Sequence, residues 1–469
     1  MTLMDGYSGV SPMTSCHSCD QSHQTRKGRT TQCHCQVTPI YMLPDEVLLE
    51  IFEFYVDEAA DGTKKGIEAW QTLVHVCRLW RTVVFGSPRR LNLRLLCTHE
   101  TPVRNKLYVW PALPLCIRGS WGNSGTVLDD MLAALGHSDR IRQVDIGYLQ
   151  LEGLLPAMEV PFPDLTDLNI SAIPCLTPVA PDSFLGGSTP RLQNLKLEWF
   201  PFPGLLKLLL SATNLVTLCL IRIPRSGYIS PEAMATCLSE LTRLRHLIIT
   251  SFPYHEIPPS SPQKHVVLHA LTIFEFRGFG EYLEDLVARV NAPRLNHMEI
   301  TLEEYFGIRQ LLQLVGRTPS LEAPDNARLI FSSSAVQVTL LSPTGKLFVN
   351  ISDERRPLRI SDRQVLALAQ WEDIEITRWL ELLRLFTAVK KLYLSEGCEL
   401  HIAPALQELV EGRMTKVLPT LENLFLSGLL PWGPVHEGTE QFVAARQFTS
   451  PVVVSRWDGR CESDPYNPW

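Results

Sequence analysis

Two adjacent stretches decide the fold: Leu192-Gln193-Asn194-Leu195-Lys196-Leu197-Glu198-Trp199-Phe200-Pro201, and Leu215-Val216-Thr217-Leu218-Cys219-Leu220-Ile221-Arg222-Ile223-Pro224. Both read Leu-x-x-Leu-x-Leu-x-x-apolar-Pro. The alternation at Leu195/Leu197 and Leu218/Leu220 predicts a short strand with both leucines on one face, since side chains alternate along a strand. The leading Leu192 or Leu215 then sits where the chain turns into that strand.

Working outward, the pattern recurs with Ile, Val, Phe or Met in place of Leu. It starts at Ile141, Leu165, Leu192, Leu215, Leu244, Leu271, Leu295, Val389 and Leu421. From Ile141 to Leu295 the steps are 24, 27, 23, 29, 27 and 24 residues, in the pitch of leucine-rich repeats. One such unit cannot bury its apolar face, whereas a stack of them builds a continuous core. The usual Asn or Cys eight residues after the first Leu is absent. Leu149, Ile173, Phe200, Ile223, Phe252 and Phe279 stand there, and Pro174, Pro201, Pro224 and Pro253 follow four of them directly. An apolar spine thus replaces the polar ladder, and the turn backbone has to be satisfied in another way. Between Leu295 and Val389 the pitch is obscured. There Ala335–Leu341 and Lys346–Ile351, joined at Ser342-Pro343-Thr344-Gly345, read as a hairpin, and Ile376–Phe386 reads as an amphipathic helix. Glu440–Phe448 and Val452–Trp457 are expected to cap the far end.

Upstream of the repeats the periodicity becomes helical. Leu43-Pro44-Asp45-Glu46 opens a helix, with proline in the first turn and acidic residues at the positive end of the dipole. Val47, Leu48, Ile51, Phe52 and Tyr55 form one broad apolar face. After a polar loop, Trp70, Leu73, Val76, Cys77, Trp80, Val83 and Val84 predict a second helix from about Ile67 to Ser87-Pro88. Two short helices with faces this wide need a partner or the neighbouring domain. Residues 1–42 are polar and aperiodic, and are expected to be a disordered tail. Cys16, Cys19, Cys33 and Cys35, with histidines nearby, form a weak zinc candidate. The second pair is one residue short of the usual knuckle and no packed segment surrounds it, so no cofactor is expected.

Leu43-Pro44-x-Glu46-Val47-Leu48-x-x-Ile51-Phe52, followed by Leu73-x-x-Val76-Cys77-Arg78-x-Trp80-Arg81, resembles the F-box. The remainder is similar to the irregular arrays of a large group of fungal F-box proteins, including Ser87–Leu93, Trp110–Leu115 and Phe442–Arg446. The resemblance implies an α/β chain in three parts. These are the tail, a short helical F-box module over 43–95, and an irregular leucine-rich-repeat solenoid (a horseshoe) over 96–469 with its cap. It also implies the substrate receptor of a cullin–RING ubiquitin ligase. Leu43, Pro44, Val47, Leu48, Ile51, Phe52, Val76, Cys77 and Trp80 would contact a Skp-type adaptor and, through it, a cullin. An unidentified target protein would lie on the array. The candidate target-binding residues are those between the core leucines: Lys196, Glu198, His246, Glu275, Arg277, Glu299, Tyr393 and Phe425. A repeat scaffold or inhibitor acting outside ubiquitin ligation is the alternative.

The 469 residues carry a net charge of -7 and are 45% hydrophobic. A generally basic nucleic-acid binder is thereby disfavoured, and a substantial core is available. No apolar run reaches the roughly 18 residues of a spanning helix, and no secretory pattern opens the chain, so an intracellular protein, cytoplasmic or nuclear, is expected. No P-loop, GxSxG or HExxH occurs. Gly278-x-Gly280 lacks a third glycine, the histidines are dispersed, and Cys77 has no base nearby in sequence. A non-catalytic protein is expected.

Overall fold

A computed structural model describes residues 40–58, 67–98, 103–119, 125–147, 151–174, 178–251 and 265–302, and shorter pieces of the later chain, among them 326–332, 335–342, 345–352, 389–394, 418–426, 440–444 and 451–456. The four tail cysteines, the expected helix Ile376–Phe386, Leu149 and the Phe252-Pro253 pair lie outside the described residues.

Three helices come first: α1 (Asp45–Glu58), α2 (Trp70–Val76) and α3 (Arg78–Gly86). The single second helix expected from Ile67 to Ser87 is therefore corrected to two. Cys77 is extended (φ -157°, ψ 173°), and its Sγ accepts a hydrogen bond from the Trp80 N–H. It caps α3 as a small polar N-cap would. The apolar periodicity runs through this break, but Trp70, Leu73 and Val74 on one side and Val83 and Val84 on the other are what point inward. Termination at Ser87 agrees with the expectation: its N–H bonds the Val84 carbonyl before Pro88.

The remainder is built on one large sheet. Its first strands are β1 (Leu95–Cys97), β2 (Leu115–Gly119), β3 (Ile141–Gly147), β4 (Asp167–Ser171), β5 (Asn194–Glu198), β6 (Thr217–Ile221) and β7 (His246–Thr250). After β8 (Val266–Val267) come β9 (Ile273–Gly278), β10 (Val290–Asn291) and β11 (His297–Leu302). β8 and β10 pair with each other in a small separate sheet. In the large sheet, β1 to β7, β9 and β11 lie side by side in chain order, all parallel. From β4 onward each of these strands begins two residues after a repeat start read from the sequence, as β5 does after Leu192.

The sheet continues through β12 (Asn326–Ser332), β13 (Ala335–Ser342), β14 (Gly345–Ser352), β15 (Lys391–Leu394), β16 (Asn423–Leu426) and β17 (Val453–Arg456). The expected hairpin is β13 and β14, antiparallel with Ser342 opposite Gly345. β14 adds beside β11, and β12 stands two places further out, parallel to β15. The expected strand near Val452 is β17, parallel to β16, and residues 440–444 are helical.

Helices α4 (Val103–Val109), α5 (Gly125–Leu135), α6 (Leu205–Ser211), α7 (Pro231–Glu240) and α8 (Gly280–Arg289) connect strands. α7 starts as its sequence predicts: the Ser230 Oγ accepts from the Ala233 N–H, and Pro231 occupies the first turn. Leu168, Leu195, Leu218, Leu247, Phe274 and Met298 are successive register partners. They join Leu208, Leu238 and Leu286 of the connecting helices in one buried cluster, which also holds Leu48, Phe52 and Trp70. The boundary expected at residue 95 therefore passes through β1 and through a shared core.

At the strand exits the backbone is satisfied without an Asn ladder. Trp199, Arg222 and Ser251 have φ of 53°, 49° and 49°. Their N–H groups donate to the carbonyls of Ile221, Thr250 and Arg277 in the next strand. The left-handed residue turns the chain, its N–H stays in the ladder, and the following proline has no N–H to satisfy.

Candidate functional site

Two surfaces were expected to carry function, and the helices present the first. Helix α1 divides its apolar residues between two faces. Leu48 and Phe52 are 0% exposed and Val56 is also buried, while Val47, Ile51 and Phe54 are 38%, 44% and 73% exposed. Four-residue spacing explains the division, because 48, 52 and 56 share one face and 47, 51 and 55 the next. The ring of Phe52 lies 4.6 Å from that of Trp80, which is half-buried against the core. Leu48 and Phe52, read as adaptor contacts, are thus core residues that hold α1 to its neighbours, and Trp80 largely shares that task.

Of the other expected contacts, Val47, Ile51, Val76 and Cys77 are exposed, as is Pro44, and Leu43 is partly buried. Sequence reasoning missed Met42, Phe54 and Leu79, which are exposed at 66%, 73% and 37%. For Phe54 the signal was present: it falls seven residues after Val47 on the same helical face. At the junction of α2 and α3, Val76, Cys77 and Leu79 flank Trp80 much as Ile51 flanks Phe52.

The helices are fixed firmly to the sheet. Trp70 is fully buried, donates its indole N–H to the Arg94 carbonyl at 2.9 Å, and meets Trp110 and Phe85 edge-on at 5.1 and 6.0 Å. Lys106 of α4 pairs with Glu68 just before α2 and also donates to the Leu96 carbonyl of β1 at 3.0 Å.

The second surface is the sheet face turned away from the core. All eight expected residues on it, Lys196, Glu198, His246, Glu275, Arg277, Glu299, Tyr393 and Phe425, are half-exposed, and Lys196, Glu275, Arg277 and Glu299 each stand between two buried neighbours. Register aligns them in rows: Asp145, Asn169, Lys196, Cys219, Ile248, Glu275 and Glu299 follow one another across seven strands. At the β3–β5 end the carboxylates are matched. Asp145 takes Arg118 at 3.4 Å and the Asn169 amide at 2.7 Å, Asp167 takes Asn194 at 2.7 Å, and Glu198 takes Ser171 and Arg222 at 3.2 and 3.7 Å. Arg222 also lies over the Trp199 ring. Further along, Glu275 and Glu299 stand directly opposite each other. Burial, and then the neighbouring Glu299 charge, push the Glu275 carboxyl above its usual range. At the other end the Tyr393 and Phe425 rings stack at 4.4 Å with planes 8° apart.

Cys97, Cys116, Cys219 and Cys237 are buried and Cys77 is exposed. Burial pushes the Cys97 and Cys237 thiols up to about 12 and the Cys219 thiol up to about 11. Among the described residues no group of three His, Cys, Asp or Glu is arranged to hold a metal ion, and no helix is long and apolar enough to cross a membrane. No family model matches the chain, and no curated protein shows significant similarity to it.

Proposed function

We propose that this chain is the substrate-receptor subunit of an SCF-type cullin–RING ubiquitin ligase. In this reading the three helices are an F-box that docks a Skp-type adaptor, and the sheet is an irregular leucine-rich-repeat horseshoe that holds the target protein. The chain itself performs no chemistry; it brings the target to the charged conjugating enzyme that the cullin recruits.

The observation that carries the reading is the second apolar face of the helical module. Its core is already satisfied by Leu48, Phe52, Trp70 and Val84, yet Val47, Ile51, Phe54, Val76 and Leu79 remain exposed. Large apolar side chains gathered on so small a unit mark an interaction surface. Each contributes roughly 1.5–3 kcal/mol when a partner buries it fully. The ties of Trp70 and Lys106 to the first strands support the same reading, because a receptor has to hold its target at a defined distance from the adaptor.

The test is co-purification and titration of the full chain with a Skp-type adaptor. The double variant Val47→Asp/Ile51→Asp is expected to lose adaptor binding by at least a hundredfold with an unchanged thermal melt, since both residues lie outside the core. Undiminished binding by that variant would overturn the assignment of the face. An intact chain that binds no adaptor would leave the array as a binding scaffold or inhibitor outside ubiquitin ligation.

A further inference from the structure

Between the matched charges of β3–β5 and the Glu275–Glu299 pair, the open sheet face carries three isoleucines among Thr217, Cys219, His246 and Thr250. Ile221, Ile248 and Ile273 are each half-buried on that face, on β6, β7 and β9. Their register partners are Glu198 and Thr250 for Ile221, Cys219 and Glu275 for Ile248, and His246 and His297 for Ile273. The three isoleucines therefore step diagonally across the sheet, one strand over and two residues back at each step. With strands about 4.8 Å apart and about 3.3 Å per residue, the diagonal is roughly 16 Å long, the reach of about five extended residues.

The carboxylates beside it are electrostatically incomplete. Glu275 adjoins both Ile248, its register partner, and Ile273, two residues before it on the same strand. Like charges directly opposite on neighbouring strands destabilise a sheet, and Glu275 faces Glu299 in that way. The basic groups beside the pair are two imidazoles, His297, 3.9 Å from Glu299, and His246, on the strand next to Glu275; Arg277, on the same strand as Glu275, has other contacts. The Asp145, Asp167 and Glu198 carboxylates on this face already have their donors. A ligand cation at Glu275 and Glu299 would offset a repulsion that the fold leaves in place.

We propose that this diagonal docks an extended segment of a partner protein in which an aliphatic or aromatic side chain is followed, within about three residues, by Lys or Arg. The apolar side chain seats on Ile221, Ile248 and Ile273, and the cation bridges Glu275 and Glu299. The proposal rests on reading the sheet face as the target-binding surface, and under the receptor reading it names the class of target.

The test is selection of a random linear decapeptide display library on the full chain, followed by anisotropy titration of the best selected peptide. Enriched sequences are expected to pair an apolar residue with Lys or Arg at that spacing. Ile248→Ser and the double variant Glu275→Gln/Glu299→Gln should each weaken the selected peptide at least tenfold without lowering the thermal melt. The double variant should also flatten its salt dependence. Acidic or cation-free consensus sequences, no enrichment at all, or unchanged binding by both variants would overturn the proposal. Adaptor titration in parallel separates the two readings. Peptide recognition without adaptor binding defeats the receptor reading alone, and adaptor binding without peptide recognition defeats this inference alone.

Discussion

Phe52 of α1 and Trp80 of α3 meet with ring centroids 4.6 Å apart and planes at 58°, while their chain neighbours Ile51 and Leu79 are 44% and 37% exposed. One contact closes the helical module, and the adjacent residue on each helix is left exposed. Phe52→Ala is expected to cost about 3–5 kcal/mol of stability through the lost transfer energy and the cavity. Phe54→Ala should stay within about 0.5 kcal/mol and, on the proposed receptor reading, weaken adaptor binding instead. Urea unfolding followed by tryptophan fluorescence, beside adaptor titration, separates the two effects.

The Glu68–Lys106 pair is mostly buried, with side chains 13% and 16% exposed. Glu68→Gln removes the countercharge and leaves the ammonium with neutral carbonyl oxygens only, those of Gln and of Leu96. The expected loss is about 2–3 kcal/mol, somewhat under the roughly 3–5 of a fully buried pair. Glu68→Gln/Lys106→Met should recover most of it, and a double-mutant cycle on unfolding midpoints measures the coupling.

Ser251 sits at a strand exit with φ of 49°, where an L-residue is strained by about 1–2 kcal/mol and a β-branched one by more. Ser251→Val should therefore be less stable than Ser251→Gly by at least about 1 kcal/mol. Equal melting temperatures for the two variants would remove the left-handed exit from the account of these turns.

The buried thiols make stability depend on alkaline pH. Burial raises Cys97 and Cys237 to about 12 and Cys219 to about 11, from an ordinary value near 9.0. The folded state thus holds these protons more tightly than the unfolded state. Their contribution is complete below about pH 9 and is lost as pH rises through 9 towards 12. Urea midpoints should fall between pH 8.5 and pH 10.5, less so in a Cys219→Ala/Cys237→Ala variant. At pH 8, iodoacetamide should modify the exposed Cys77 in the native chain and reach Cys97, Cys219 and Cys237 only after unfolding.

Much of the array was legible in the sequence because its determinants are local. Leu192-x-x-Leu195-x-Leu197 specifies a strand by alternation, and its recurrence implies neighbours that complete the core. The apolar-Pro exit was equally visible, whereas the left-handed Trp199, Arg222 and Ser251 before it were not, since none is glycine. β1 and β2 went unread: their leucines stand among helical and proline-rich segments, without the repeat spacing. β12 joins the sheet through pairings with β13 and β15, which no local pattern announces.

At the candidate surfaces the division has a single cause. Residue order alone sets which residues alternate and which recur at helical spacing, and hence the apolar rows, the open-face residues such as Glu275 and Glu299, and the apolar character of α1. It does not determine which of two apolar faces is the inside. Val47 and Leu48 are interchangeable in any hydrophobicity pattern. Only the packing of Phe52 on Trp80, and of Trp70 against Trp110, turns Leu48 inward and leaves Val47 to solvent. Likewise only strand register places Glu275 opposite Glu299 and aligns three isoleucines, because register depends on which strands become neighbours.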